Sequence, residues 1–108
     1  MKIWVDDIRP ASEGYIWCQC TNHALRFLRN KISEVELIDL DHDMGDTFGG
    51  DAIKIPQELE RLSYRDADFA EKVKNIKFRF HSANPVGVAN MRAIIEKTVG
   101  KKLGDLYG

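Results

Sequence analysis

Four short runs rich in β-branched, aromatic and aliphatic residues punctuate the chain, and between them apolar positions recur at helical spacing. Residues 2–5 (Lys-Ile-Trp-Val) form the first run, which stops at Asp6-Asp7 and then Arg9-Pro10, where charge and proline end strand pairing. Residues 15–20 have strand composition after Gly14. Thr21 is placed to cap a helix whose apolar positions Ala24, Leu25, Leu28 and Ile32 share one face, ending near Lys31. Residues 35–40 are mostly apolar and empty into Asp41-His42-Asp43, Gly45 and Gly49-Gly50, so a buried strand leads into a polar loop. A second helix is expected through Ile53, Leu59 and Leu62, with Pro56 either kinking it or delaying its start. Residues 63–75, with Phe69 and Val73 at helical spacing, read as an exposed helical excursion.

Residues 76–80 alternate cleanly. Ile76, Phe78 and Phe80 point one way, Lys77 and Arg79 the other, which predicts a strand with one partly covered face, ending at His81-Ser82. Asn84-Pro85 then starts a helix with the apolar stripe Val88, Met91, Ile95 and Val99. Residues 100–108, with Leu103 and Leu106 as their apolar members, read as a frayed or loosely docked tail. Strands alternating with helices imply parallel pairing through right-handed crossovers, and ligands in such sheets collect outside the carboxyl ends of the strands.

Composition narrows the class without choosing a partner. The 108 residues suit one domain, residues 1–108. With 16 basic and 17 acidic residues there is no global field that would make a broad DNA-binding surface. Residues 1–5 lack a signal-peptide core, and no apolar run approaches the roughly 20 residues of a membrane span, so a cytoplasmic protein with no membrane partner is expected. Cys18 and Cys20 have neither a metal-knuckle spacing nor a comfortable disulfide spacing and read as reduced thiols. His23, without acidic company, reads as a first-turn surface residue.

The chemistry gathers at three strand ends. Asp6, Asp7, Asp41 and Asp43 would bring four carboxylates together, and their repulsion in a poorly solvated site calls for a cation, with Mg2+ the natural hard divalent ion. His42 and His81 at the same sheet edge can supply a general base and a general acid near neutral pH, as phosphodiester cleavage requires. At residues 81–87 a strand turns into a helix whose first amides, beside Ser82 and Asn84, can receive an anion such as phosphate. Asn84 can cap the same helix, and the two roles are compatible.

Three ordered segments, Trp4-Val5-Asp6-Asp7-Ile8-Arg9-Pro10, Leu40-Asp41-His42-Asp43-Met44-Gly45, and His81-Ser82-Ala83-Asn84-Pro85-Val86-Gly87 with Asn90-Met91, resemble the cyclic-phosphate-processing receiver-like domain family. The resemblance implies a small three-layer, receiver-like (flavodoxin-like) α/β fold with a mostly parallel sheet. It implies action on a cyclic phosphate, as an RNA 2′,3′-cyclic phosphate end or a cyclic nucleotide, and a place in RNA repair. It maps Asp6 and Asp7 onto the acidic pair that holds magnesium in receivers, and Asp41 near the position that accepts a phosphoryl group. His81 ends the final strand where receivers carry a phosphoryl-binding lysine, which favours hydrolysis or ligand binding over signalling. The expected mechanism has Asp6, Asp7, Asp41 and Asp43 holding the metal, and Arg9, Ser82, Asn84 and Gly87 holding the anion. His42 and His81 then act as the acid–base pair beside Asp41, with the sequence leaving open which takes which role. Two rivals stand beside it: a phosphate- or nucleotide-binding module without turnover, and a magnesium-dependent phosphoacceptor with Asp41 as acceptor. The partner in each case is a phosphorylated small molecule or RNA end.

Overall fold

The computed structural model describes residues 1–41, 52–101 and 103. Four strands, β1 (Lys2–Val5), β2 (Tyr15–Cys18), β3 (Leu37–Leu40) and β4 (Lys77–Phe80), form one sheet in the order β2-β1-β3-β4, and every pairing is parallel. This is the receiver-like α/β architecture: the order reproduces the first four positions of the flavodoxin-like sheet, with its reversal of strand order between β1 and β3. The helices are α1 (Thr21–Lys31), α2 (Lys54–Arg65), α3 (Ala67–Lys74) and α4 (Pro85–Val99), and α2 packs against the other three.

Strand alternation decides which face is core. In register, Ile3, Ile16, Ile38 and Phe78 form one row across the sheet and Val5, Cys18, Leu40 and Phe80 the next. Ile3, Val5, Cys18, Ile38, Leu40 and Phe78 join Ala24, Leu25 and Leu28 of α1, Ile55 and Leu59 of α2, Phe69 and Val73 of α3, and Met91 and Ile95 of α4 in one buried cluster. The alternate residues, Lys2, Trp4, Tyr15, Trp17, Leu37, Asp39, Lys77 and Arg79, therefore face the other way, and of these Leu37 and Asp39 are buried.

The sequence pattern places helices between strands, but β1 and β2 pair in parallel across residues 6–14 with no helix between them. A right-handed link from β1 to β2 travels opposite to the one from β2 to β3, so it crosses the face away from α1. Two hydrogen bonds tie it there: Trp4 Nε1 donates to the Arg9 carbonyl at 2.8 Å and Trp17 Nε1 to the Asp6 carbonyl at 2.7 Å. On this side the third layer is a strap of loop. Gly14 ends it with φ +89°, a left-handed conformation that any other residue would adopt at a cost.

Several boundaries sharpen the expectations. Pro56 sits in the first turn of α2, where its missing amide has no intrahelical acceptor to lose. Residues 63–75 are not a single exposed excursion. Ser63 to Arg65 finish α2, then Asp66 caps α3 by accepting from the Asp68 and Phe69 amides, and Phe69 and Val73 are buried. Thr21 is a buried first-turn residue, and the cap position belongs to Cys20, which makes no side-chain cap bond. The tail is docked at Leu103, which is buried and whose amide donates to Glu96 Oε2; Leu106 lies outside the described residues. Cys18 and Cys20 are free thiols, and burial, with Cys20 nearby, pushes the Cys18 thiol up to about 12, which makes it a core residue rather than a reactive one.

Candidate functional site

Parallel register delivers three polar residues to one edge. Each is the first residue beyond its strand, and each is pinned by a backbone bond to the neighbouring strand end. The Asp6 amide donates to the Cys18 carbonyl, the Asp41 amide to Val5, and the His81 amide to Leu40, at 3.2, 2.9 and 3.0 Å. Since Val5, Leu40 and Phe80 turn toward the helices, Asp6, Asp41 and His81 turn toward the face that carries Trp4 and Asp39. The location is the strand-order reversal between β1 and β3, where a doubly wound sheet opens a crevice.

His81 is the centre of the arrangement. Its Nδ1 lies 2.7 Å from Asp39 Oδ1 and its Nε2 2.9 Å from Asp6 Oδ2, while its ring stacks on Trp4 with centroids 3.9 Å apart and planes 5° from parallel. An imidazole between two carboxylates makes both bonds as donor only when protonated. Burial disfavours that charge, but Asp39 and Asp6 outweigh it and raise the His81 pKa above the ordinary 6.5. Asp6 is 1% exposed. Burial raises its pKa, yet the Arg9 and Ile8 amides, both 2.9 Å from Oδ1, together with His81, hold it below the ordinary 3.8.

These opposite shifts give a testable stability window. The Asp6 contribution is present above pH 3.8 and is lost as pH falls through its lowered folded value. The His81 contribution is complete below pH 6.5 and is lost as pH rises through its raised folded value. Thermal stability should therefore be highest between about pH 4 and 6.5 and fall by about 1–3 kcal/mol on the alkaline side, as expected for a charge-assisted hydrogen bond. A His81→Gln protein with the same alkaline fall would show that another group causes it.

The sequence-predicted residues divide as follows. Asp6, Asp41 and His81 converge: each offers a ligand atom, and these atoms lie within 4.8 Å of one another. Asp7, half-buried, is not among that group. Arg9 stands at the edge, its side chain 57% exposed and its Nε 3.7 Å from Asp6 Oδ2. The turn before α4 is largely self-satisfied. Asn84 Oδ1 accepts from the Gly87 amide at 2.9 Å, and the Asn84 amide donates to Ser82 Oγ at 3.1 Å. Of the amides expected to be open to an anion, those of Asn84 and Gly87 are thus already engaged. A groove lined by Ser82, Ala83, Pro85, Val88 and Arg92 runs from this turn along α4. His42 and Asp43 lie outside the described residues. Sequence reasoning missed Asp39 and Trp4. The signal for Asp39 was present, a lone carboxylate inside an otherwise apolar strand, and at 8% exposed it is a buried charge that needs a partner.

Two buried carboxylates and an imidazole are a fitting donor set for a divalent cation, because their mutual repulsion needs either a proton or a metal. A parallel sheet of this order, with acids and a histidine at its switch point, defines a receiver-like domain. The chain belongs to the family described as the cyclic-phosphate processing receiver domain, whose sequence model matches residues 1–97. Neither the curated proteins nor the solved structures searched contain a match. No described helix is long and apolar enough to cross a membrane.

Proposed function

We propose that the protein hydrolyses a cyclic phosphodiester, an RNA 2′,3′-cyclic phosphate end or a cyclic nucleotide, and that it serves RNA repair. The observation that carries this reading is His81, held by Asp39 and Asp6 beside Asp41. Water attacks phosphorus, the bond from phosphorus to one ribose oxygen breaks, and that oxygen takes a proton. We assign the donor as His81 Nε2–H, which turns from Asp6 Oδ2 to the leaving oxygen when substrate is bound, while Nδ1 stays bonded to Asp39, which fixes the ring's orientation and favours its protonated form. With His81 as the acid, the base that accepts the water proton would be His42, the other histidine of the pair expected from sequence.

Asp6 and Asp41, with Asp7 and Asp43 as the further acids of the sequence reading, would hold a divalent ion, Mg2+ being the hard cation that suits carboxylates. Such an ion, when bound, offsets the negative charge that develops on the phosphoryl oxygens. Arg9 adds a cation at the rim and Ser82 a hydroxyl, with Asn84 and Gly87 shaping the turn that carries Ser82.

The experiment is incubation with 2′,3′-cyclic nucleotides with and without magnesium, following product by chromatography and protein by thermal unfolding. Opening of the ring to a linear phosphomonoester is expected. Protection from heat without product would identify a phosphate-binding module, and covalent phosphate on Asp41 after exposure to a small phosphodonor would identify a phosphoacceptor. Absence of turnover, protection and phosphorylation across cyclic and linear phosphates would sink the reading.

A further inference from the structure

The face that carries the site continues away from it as a basic surface. Beyond His81, strand β4 presents Arg79 and then Lys77 on the side opposite Phe78, and the register sets Lys77 and Lys2 on either side of Leu37. Lys2, Lys77 and Arg79 are all exposed. Among the described residues, none of the three forms an ion pair with a carboxylate; Lys2 Nζ lies 5.7 Å from the Tyr15 ring centroid. Of the buried acids on this face, Asp39 and Asp6 are already engaged by His81, and Asp41 stands beside them at the site. The residues 6–14 strap is bonded to Trp4 and Trp17 on β1 and β2, and on the β3–β4 half Leu37 and Asp39 are buried while the flanking Lys2, Lys77 and Arg79 remain exposed.

A chain with net charge −1 that exposes on one face three cations with no carboxylate partner among the described residues, in line with an acid-histidine phosphate site, has an arrangement suited to a polyanion that starts at that site. We infer that the basic strip of Arg79, Lys77 and Lys2 on this face is a track for a single-stranded RNA whose cyclic-phosphate end sits at Asp6, Asp41 and His81, with upstream phosphates on those three cations. The inference rests on the proposed hydrolysis of a cyclic phosphate and names its substrate class as an oligonucleotide rather than a free cyclic nucleotide.

Length supports the choice. At a rise of roughly 3.3 Å per residue, Arg79 lies about 7 Å and Lys77 about 13 Å back along the strand from His81. A mononucleotide with its phosphate at His81 has no second phosphate to offer Lys77, whereas an oligonucleotide has one for each further step.

The test compares the wild-type chain with K77Q/R79Q, after matching thermal unfolding confirms that both are folded. A labelled hexaribonucleotide ending in a 2′,3′-cyclic phosphate is titrated by fluorescence anisotropy at several salt concentrations, and a 2′,3′-cyclic mononucleotide is assayed for ring opening. The double variant should bind the hexamer about tenfold more weakly, with the slope of log affinity on log salt shallower by about 1.4, the value for two lost single-strand phosphate contacts. Its turnover of the mononucleotide should be unchanged.

Hexamer affinity unaffected by the variant overturns the track, as does an equal loss on hexamer and mononucleotide. A wild-type protein that binds hexamer no better than mononucleotide, or binds a short poly-aspartate peptide as well as the hexamer, also overturns it. Variant-sensitive hexamer binding without ring opening would support the track while removing the hydrolase reading. Ring opening of the mononucleotide without hexamer binding would do the reverse.

Discussion

His81→Gln should lower the rate of cyclic-phosphate opening by about 10² to 10⁴, the usual effect of removing a general acid. The side chain was chosen because glutamine retains one amide donor near Asp39 or Asp6, so the loss reads the missing proton donor more than a collapsed site. A companion variant separates donation from positioning. Asp39 touches the ring through Nδ1 at 2.7 Å and is a positioning residue in this scheme. Asp39→Asn keeps an acceptor for that nitrogen but removes the charge that helps hold the ring protonated, so the alkaline limb of the pH–rate profile should move to lower pH. A merely structural Asp39 would change the rate without moving that limb. Full activity of His81→Gln on a substrate the wild type opens would remove His81 from the mechanism.

The second large effect is on stability. Asp6→Ala should destabilise the fold by about 3–5 kcal/mol near pH 6, the range for breaking a buried charge pair by deleting one partner. Asp6 holds more than His81. Its Oδ1 accepts both the Ile8 and Arg9 amides, which set the turn that leads out of β1 into the strap. Alanine leaves those amides without that acceptor and His81 with one carboxylate instead of two. Asp6→Asn keeps an oxygen for the two amides and loses only the charge, so a smaller loss of about 1–2 kcal/mol is expected. Urea unfolding at pH 6 measures both. A loss under about 1 kcal/mol for Asp6→Ala would mean that the strap and His81 hold their places without it. If the acids hold a divalent ion, either substitution should also abolish stabilisation by added magnesium.

Local chemistry made much of this molecule legible. The strand Lys2–Val5 and the helices Thr21–Lys31 and Pro85–Val99 fall where the apolar periodicity, the Asn84-Pro85 start and the abrupt acids predict them. Each of these signals lies within a few residues of the element it bounds. Asp6, Asp41 and His81 could be read as site residues for the same reason: a parallel strand that is apolar to its last residue has no use inside itself for the acid or histidine that follows. The segments that carry the family resemblance contain those residues, and the family match spans them.

Tertiary structure decided what depends on register. Asp39 reads as one polar residue in a buried strand until β4 is laid beside β3, which brings His81, 42 residues later in the chain, within a hydrogen bond. The parallel β1–β2 pairing without a helix could not be read from periodicity, because a loop bonded to two indole N–H groups leaves no repeating pattern in sequence. Phe69 and Val73 look like an exposed excursion for a related reason, since a short helix with charges at Asp68, Glu71, Lys72 and Lys74 shows its buried edge only once α2 and α4 lie against it. The sequence alone determined which residues end each strand and hence which chemistry stands at the carboxyl edge. Strand order and pairing decided which of those groups touch, because hydrogen bonds and charge interactions act over a few ångströms of space and are indifferent to separation along the chain.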